Sequence, residues 1–82
     1  MNKKFSEITH AKTRAYQRYR IRLSPKSYRR LCNQIKNSES VFIKRKSNTR
    51  TIHDVVHKGT RMRAVYDKAR GCIVTFLHLK GG

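Results

Sequence analysis

The segment RMRAVYDKARGCIVTFL, residues 61–77, decides the fold, because it has the pattern of two β-strands joined by a short loop. Residues 61–66 and 72–77 are rich in β-branched, aromatic and other apolar side chains, and residues 67–71 suit a five-residue hairpin loop. Closing the hairpin around this loop predicts one apolar face made of three antiparallel pairs: Tyr66–Cys72, Ala64–Val74 and Met62–Phe76. On the opposite face it predicts two further pairs: Val65–Ile73 and Arg63–Thr75.

Two more strands are predicted before this hairpin, at residues 41–43 and 51–57. The basic polar segment 44–48 lies between them, and residues 58–60 form a turn after the second. Four consecutive strands with short connections predict an antiparallel meander.

Two helices are predicted before the strands. Ser24 is a good N-cap and Pro25 suits the first helical position, so the second helix begins there and extends to residue 36 or 37. Its apolar side chains fall at i, i+3, i+4 and i+7, which makes a single stripe of Tyr28, Leu31, Cys32 and Ile35. The first helix is predicted from Glu7 or Thr9 to Tyr19, with Thr9 as its cap.

The predicted fold class is therefore α+β, with two N-terminal helices packed on one face of a four-stranded antiparallel sheet. A chain of 82 residues makes one domain, residues 1–82. Residues 1–6 and 79–82 are predicted to be flexible. The face that the helices leave uncovered is expected to meet solvent or a ligand.

The chain is strongly basic, with 21 Lys and Arg against 4 Asp and Glu and a formal charge of +17. The charge is spread along the chain: residues 1–37 carry 11 basic residues and 1 acidic residue, and residues 38–82 carry 10 and 3. Such a surface repels itself, which predicts a polyanionic partner. Nucleic acid is the first expectation, with RNA favoured, and a membrane surface or an acidic protein is the weaker alternative.

Cys32 and Cys72 lie 40 residues apart, and neither has a neighbour at zinc-finger spacing. Both sit within apolar runs, so buried free thiols are expected. With only four acidic residues, a carboxylate-held magnesium site is not expected, and neither a metal nor a cofactor is predicted. The sequence shows no signal peptide and no membrane span, which predicts a cytoplasmic protein, in the host cytoplasm if a phage encodes it.

His10, Arg14 and Arg18 are four residues apart in the predicted first helix and therefore share one face. Like charges at this spacing repel each other, so an anionic ligand is the simplest reason for the row. A histidine beside two arginines can transfer a proton while the arginines stabilise negative charge. The simpler alternatives are a capping or phosphate-binding histidine and a solvated basic helix face.

The order of these parts resembles the small RelE/BrnT-like domains of the barnase–EndoU–colicin–RelE group of ribonucleases. Three segments carry the resemblance: the His-x3-Arg-x3-Arg row, Arg63-x-Val65-Tyr66-Asp67 in the third strand, and residues 73–76 in the fourth. The resemblance implies metal-independent RNA cleavage, in which the 2′-hydroxyl attacks the adjacent phosphate. It implies a catalytic set of His10, Arg14, Arg18, Arg63 and Thr75. For a toxin of this kind it also implies an acidic antitoxin as partner.

Further basic and imidazole side chains are predicted to contact nucleic acid: Lys12, Lys44, Arg45, Lys46, Arg50, His53, His57 and Arg61. His53 and His57 share one face of their strand, where they either hold a base or carry a second proton, with simple surface exposure as the default. Tyr66 is a stacking candidate, but the predicted register places it in the core. His78 is expected at the surface.

Three functions follow from these patterns. The first is a toxin-like or phage-encoded endoribonuclease. The second is a nucleic-acid-binding protein without catalysis that uses the same surface. The third is a basic adaptor or inhibitor that docks on an acidic host protein.

Overall fold

Two helices precede a four-stranded antiparallel sheet, and this arrangement confirms the predicted α+β class. The computed structural model describes residues 3–78, with side chains from residue 8 onward. The elements are α1 (Lys3–Tyr19), α2 (Pro25–Lys36), β1 (Val41–Arg45), β2 (Arg50–His57), β3 (Thr60–Asp67) and β4 (Cys72–Leu77). The strands are ordered β1-β2-β3-β4, and each pairs antiparallel with its neighbour. The expectations for residues 1–2 and 79–82 lie outside the described residues.

Helix α2 matches its prediction closely. The Ser24 hydroxyl accepts a hydrogen bond from the backbone N–H of Ser27 at 3.1 Å, which satisfies a donor of the first turn. Pro25 occupies the start of the helix, where its missing N–H leaves no bond unmade. The whole predicted stripe is buried: Tyr28, Leu31, Cys32 and Ile35.

Helix α1 is longer than predicted, because it begins at Lys3 and not at Glu7 or Thr9. Thr9 is therefore inside the helix and is not its cap, and its carbonyl accepts a hydrogen bond from the Thr13 hydroxyl at 3.0 Å. Residues 3–8 contain neither glycine nor proline, so nothing in them stops the helix from extending toward the N-terminus.

The first two strands are also longer than predicted. Lys44 and Arg45 belong to β1 and pair with β2 across a bulge that follows Phe42, so they are not part of a loop. Arg50 is the first residue of β2. The sheet therefore recruits basic residues at its ends, because cross-strand hydrogen bonds continue past the apolar run.

The predicted register between β3 and β4 is wrong. Three observed pairs show the difference: Val65–Thr75, Ala64–Phe76 and Arg63–Leu77. The reason is local to the turn and to β4. Asp67 and Cys72 pair, so the connection has four residues, and an irregularity in β4 opposite Val65 and Tyr66 inserts Val74. Beyond this bulge, the observed pairing differs from the predicted one by two residues. Because a shift of two residues keeps every side chain on its face, Thr75 still shares a face with Arg63.

The Asp67 side chain organises this turn. Its Oδ1 accepts the backbone N–H groups of Ala69 at 2.9 Å and of Arg70 at 3.2 Å. Gly71 then adopts φ +68°, which suits glycine, and its N–H donates to the Asp67 carbonyl at 2.7 Å. The side chain of Asp67 thus closes a shorter loop than the one predicted.

Both faces of the sheet contribute to one hydrophobic core. Val55, Met62, Ala64 and Phe76 are fully buried, and Tyr66 is in the core as predicted. Ile52 and Val65, which alternate with these residues and so point to the opposite face, are buried as well. We call this opposite side the arginine face, defined by its cross-strand pairs Arg50–Asp67, Ile52–Val65 and Asp54–Arg63.

Candidate nucleic-acid interface

Helix α1 packs mainly along β4, and the two elements enclose a groove of about 450 Å³. We call it the α1–β4 groove, and it is lined by His10, Arg14, Arg18, Arg50, Val74, Thr75 and Leu77. Four of the five residues predicted as catalytic therefore meet in one place: His10, Arg14, Arg18 and Thr75.

The position of α1 results from small side chains and one anchoring tyrosine. Ala11 and Ala15 are fully buried, which lets the helix backbone approach the sheet closely. At the end of the helix, the Tyr19 hydroxyl donates to the carbonyl of Leu77 and accepts the backbone N–H of Arg63 at 3.1 Å. These contacts hold the row of His10, Arg14 and Arg18 against β4.

The arginines of the row differ in their partners. Arg14 donates from Nη1 to the Gln17 side-chain oxygen at 3.2 Å. Arg18 has a buried Nε with no hydrogen-bond partner among the described residues. A buried donor without an acceptor is costly, and a bound phosphate oxygen is one way to satisfy it. Arg18 is therefore the strongest sign in the groove of an anionic ligand.

Arg50 joins the groove from the sheet. The sequence analysis predicts it as a nucleic-acid contact but does not place it beside His10, Arg14 and Arg18. Its Nε lies 3.5 Å from Oδ2 of Asp67, its direct cross-strand partner. Asp67 is buried and holds the arginine without being exposed in the groove. The alternation of Arg50, Ile52 and Asp54 along β2 was the available signal, because it places all three on one face.

Arg63 is not among the residues that line the groove, although it was predicted as catalytic. It lies on the arginine face, where its Nε donates to Oδ1 of Asp54 at 2.9 Å and its Nη2 to Oδ2 at 3.4 Å. The hydrogen bond that Arg63 donates to Asp54 raises the pKa of the Arg63 guanidinium, and the charge of the carboxylate adds to this effect. Asp54 is buried, so this fork-like pair is a fixed part of the sheet surface.

The other predicted binding residues are spread over the molecule. Lys12 lines a different groove of α1, together with Thr13 and Tyr16. Three of the others are exposed on or just after β1, namely Lys44, Arg45 and Lys46. His57 and Arg61 flank the β2–β3 turn, and His53 lines a separate cavity on the other side of the sheet.

Cysteine and acidic side chains show no arrangement suited to a metal in residues 8–78, where no cluster of three or more His, Cys, Asp or Glu could hold an ion. Cys32 and Cys72 are buried free thiols, as predicted, and burial raises the pKa of the Cys32 thiol. Among the described helices, none is long and apolar enough to cross a membrane.

Comparison of the chain with protein-family profiles, curated proteins and solved structures finds no match. The resemblance to RelE/BrnT-like domains therefore stays a prediction.

Proposed function

We propose that this protein is a metal-independent endoribonuclease that binds and cleaves RNA in the α1–β4 groove. One observation carries the proposal: His10, Arg14, Arg18 and Thr75 line the same groove. Among residues 8–78, none of the groove-lining side chains is acidic, so the electrostatic field of these residues favours a phosphate. Arg18 adds a buried donor that a phosphate oxygen can satisfy.

In the proposed reaction, the 2′-oxygen forms a bond to phosphorus and the bond from phosphorus to the 5′-oxygen breaks. The 2′-hydroxyl loses its proton, and the leaving 5′-oxygen gains one. His10 carries one of these two protons, since it is the only histidine among the described groove-lining residues and imidazole is a common proton carrier in catalysis. Solvent exchanges the other, because His10 is exposed and the groove is open to water. Arg14, Arg18 and Arg50 stabilise the added negative charge, and the Thr75 hydroxyl donates to a phosphate oxygen.

A toxin-like or phage-encoded effector with this activity would act in the cytoplasm, where its RNA substrate is. An acidic antitoxin that covered the groove would block it, because the groove-lining side chains that the structure describes are cationic or neutral.

Binding of nucleic acid without cleavage is the second candidate. A specific observation favours it: among the side chains of residues 8–78, the groove lining has one histidine and no carboxylate, so none of these residues gives His10 a second proton carrier. The same arginines would then serve as a phosphate clamp for RNA or single-stranded DNA.

The deciding experiment incubates labelled RNA and single-stranded DNA with the purified protein in excess EDTA, comparing wild type with His10→Ala. We expect wild type to cleave RNA and leave DNA intact, because DNA lacks the 2′-hydroxyl. We expect His10→Ala to lower the cleavage rate by roughly 10²–10⁴-fold while RNA binding persists. His78→Ala removes an exposed histidine outside the groove and should cleave like wild type.

A second pair of variants tests the clamp. Arg14→Gln with Arg18→Gln should weaken RNA binding and reduce the salt slope of log K by about 0.7 for each lost phosphate contact. Lys26→Gln with Arg30→Gln removes the same charge from exposed positions of α2. Its salt slope should stay steeper than that of the Arg14→Gln and Arg18→Gln double variant. RNA that is bound but never cut would favour the second candidate, and RNA that is not bound at all would exclude both.

A further inference from the structure

A second cavity lies on the side of the sheet opposite the arginine face. It has a volume of about 440 Å³, and we call it the aromatic cavity, defined by Phe42, Thr51, His53 and Tyr66 with Lys36 and Lys68. Thr51 and His53 alternate along β2 with Arg50 and Ile52, so they point away from the α1–β4 groove. The cavity is therefore a separate site, and its volume falls in the range of small-ligand pockets.

Its aromatic rings stand edge to face in a row. The Phe42 and His53 ring centroids are 5.5 Å apart at an interplanar angle of 74°, and those of His53 and Tyr66 are 6.2 Å apart at 86°. Tyr66 is buried at the inner end, whereas 57% of the Phe42 surface is exposed at the outer end. A large aromatic ring that is braced on one side and open on the other is a stacking platform for a planar ligand.

His53 is fixed by two hydroxyl groups. Its Nδ1 lies 3.3 Å from the Ser40 Oγ, and its Nε2 lies 2.7 Å from the Thr51 Oγ1. A neutral imidazole, with one donor and one acceptor nitrogen, satisfies both contacts. Burial lowers the pKa of His53, which also favours the neutral ring. His53 therefore braces Phe42, and because it lines this cavity and not the α1–β4 groove, it does not lie beside His10.

The charge at the cavity identifies the rest of the ligand. Lys36 and Lys68 line it, and no acidic side chain of residues 8–78 does. An exposed aromatic ring next to two ammonium groups fits a nucleotide, with its base stacked on Phe42 and its phosphate near a lysine. The base must be unpaired, because stacking on a side chain requires a free face.

The two sites are connected at one end of the sheet. Arg50 lines the groove, and Lys68 lines the aromatic cavity. The backbone N–H of Lys68 donates to the carbonyl of Thr49 at 2.7 Å, which joins the β3–β4 turn to the β1–β2 loop. Lys46 and Arg70 are exposed on these two loops, and Arg70 lies 3.8 Å from the Asp67 oxygen that also holds Arg50.

We propose that the aromatic cavity binds an unpaired nucleobase of the same RNA strand whose phosphates lie in the α1–β4 groove. The strand passes over the end of the sheet formed by the two loops. This inference rests on the proposed function, because it takes single-stranded RNA as the ligand. The base site explains why the protein would prefer single-stranded RNA, since a duplex has no free base to stack on Phe42.

The test measures equilibrium binding of a single-stranded RNA of about 12 nucleotides, within the roughly 4–16 that one single-strand-binding domain occupies. We expect Phe42→Ala to weaken binding by about 5- to 150-fold, the range expected for loss of one base–aromatic stack. The slope of log K against log salt should stay unchanged, because no phosphate contact is lost. Phe42→Tyr keeps the ring and should bind like wild type.

The matched control is Val41→Ala, which truncates an apolar side chain that is 60% exposed one position earlier in β1. It should bind like wild type. Wild type should bind a matched oligonucleotide with abasic sites more weakly than it binds the intact RNA. Wild type and Phe42→Ala should have the same affinity for the abasic oligonucleotide.

Two results would overturn this inference alone. Wild-type affinity in Phe42→Ala would refute the base site and leave the ribonuclease proposal standing, provided that Arg14→Gln with Arg18→Gln still weakens binding. An equal loss on intact and abasic RNA would show that Phe42 does not act by stacking. If wild type binds no RNA, the proposed function fails first, and this inference fails with it.

Discussion

At the scale of single residues, the two buried acids control where the cationic groups lie. Asp54 holds Arg63, and Asp67 holds Arg50, each as a direct cross-strand pair on the arginine face. A buried carboxylate needs such partners, because charge without compensation is unfavourable in the interior. In a chain of +17, these two aspartates thus orient arginines, and of the two arginines that they hold only Arg50 lines the α1–β4 groove.

The lowered pKa of His53 predicts how the stability of the fold depends on pH. Burial lowers its pKa below the ordinary value of 6.5, and burial and nearby cations also lower the pKa of His57. The folded state therefore binds fewer protons than the unfolded state once the pH falls below about 6.5. We expect the melting temperature to fall from pH 7.5 to pH 5 and His53→Gln to show a smaller fall.

The control for this prediction is His78→Gln, which changes an exposed histidine and should keep the wild-type pH dependence. Thermal melts of the three proteins at matched ionic strength measure the difference. A His53→Gln variant as sensitive to pH as wild type would contradict the assigned role of burial.

At the scale of elements, α2 completes the sheet where β1 stops short. The β1 pairing reaches Asp54 of β2 and leaves the backbone of Val56 without a strand partner on that side. Gln34 supplies the missing bonds: its Nε2 donates to the Val56 carbonyl at 2.8 Å, and its Oε1 accepts the Val56 N–H at 3.1 Å. One side-chain amide thus pairs with the strand as a backbone amide would.

Truncating this amide should loosen the contact between α2 and β2. We expect Gln34→Ala to lower the free energy of unfolding by about 1–2 kcal/mol, since two backbone groups lose their protein partners. Gln34→Glu keeps an acceptor for the Val56 N–H but loses the donor, so its effect should be intermediate. Urea denaturation measures both, with Asn33→Ala, at an exposed position of the same helix, as the control. Equal stability of all four proteins would show that solvent replaces the amide without loss.

At the scale of the whole molecule, a net charge of +17 on 82 residues couples stability and ligand binding to salt in opposite directions. Salt shortens the Debye length from about 30 Å at 0.01 M to about 10 Å at 0.1 M and so screens the self-repulsion of the fold. We expect the melting temperature to rise between these concentrations while RNA affinity falls. Thermal melts and filter binding in the same buffers measure both. A melting temperature that falls with salt would show that ion pairs such as Asp54–Arg63 outweigh the repulsion.

Much of the candidate site follows from local sequence, and part of it does not. The spacing of His10, Arg14 and Arg18 was enough to place them on one side of a helix, because helical geometry is set within two turns. Arg50 could not be assigned to the groove from its basic neighbours, since its position depends on the cross-strand partner Asp67. Arg63 was predicted beside the phosphate, but its own partner Asp54 holds it outside the groove lining.

The sequence by itself determined the α+β class, the limits of α2 and the limits of β4, because caps, turns and side-chain periodicity act over a few residues. Only the tertiary structure decided the β3–β4 register, where Asp67 shortens the turn and Val74 is inserted into β4. It also decided that α1 packs along β4 to form the groove and that Phe42, His53 and Tyr66 meet behind it. These contacts join residues far apart in the chain, and local propensity carries no information about which distant partners will meet.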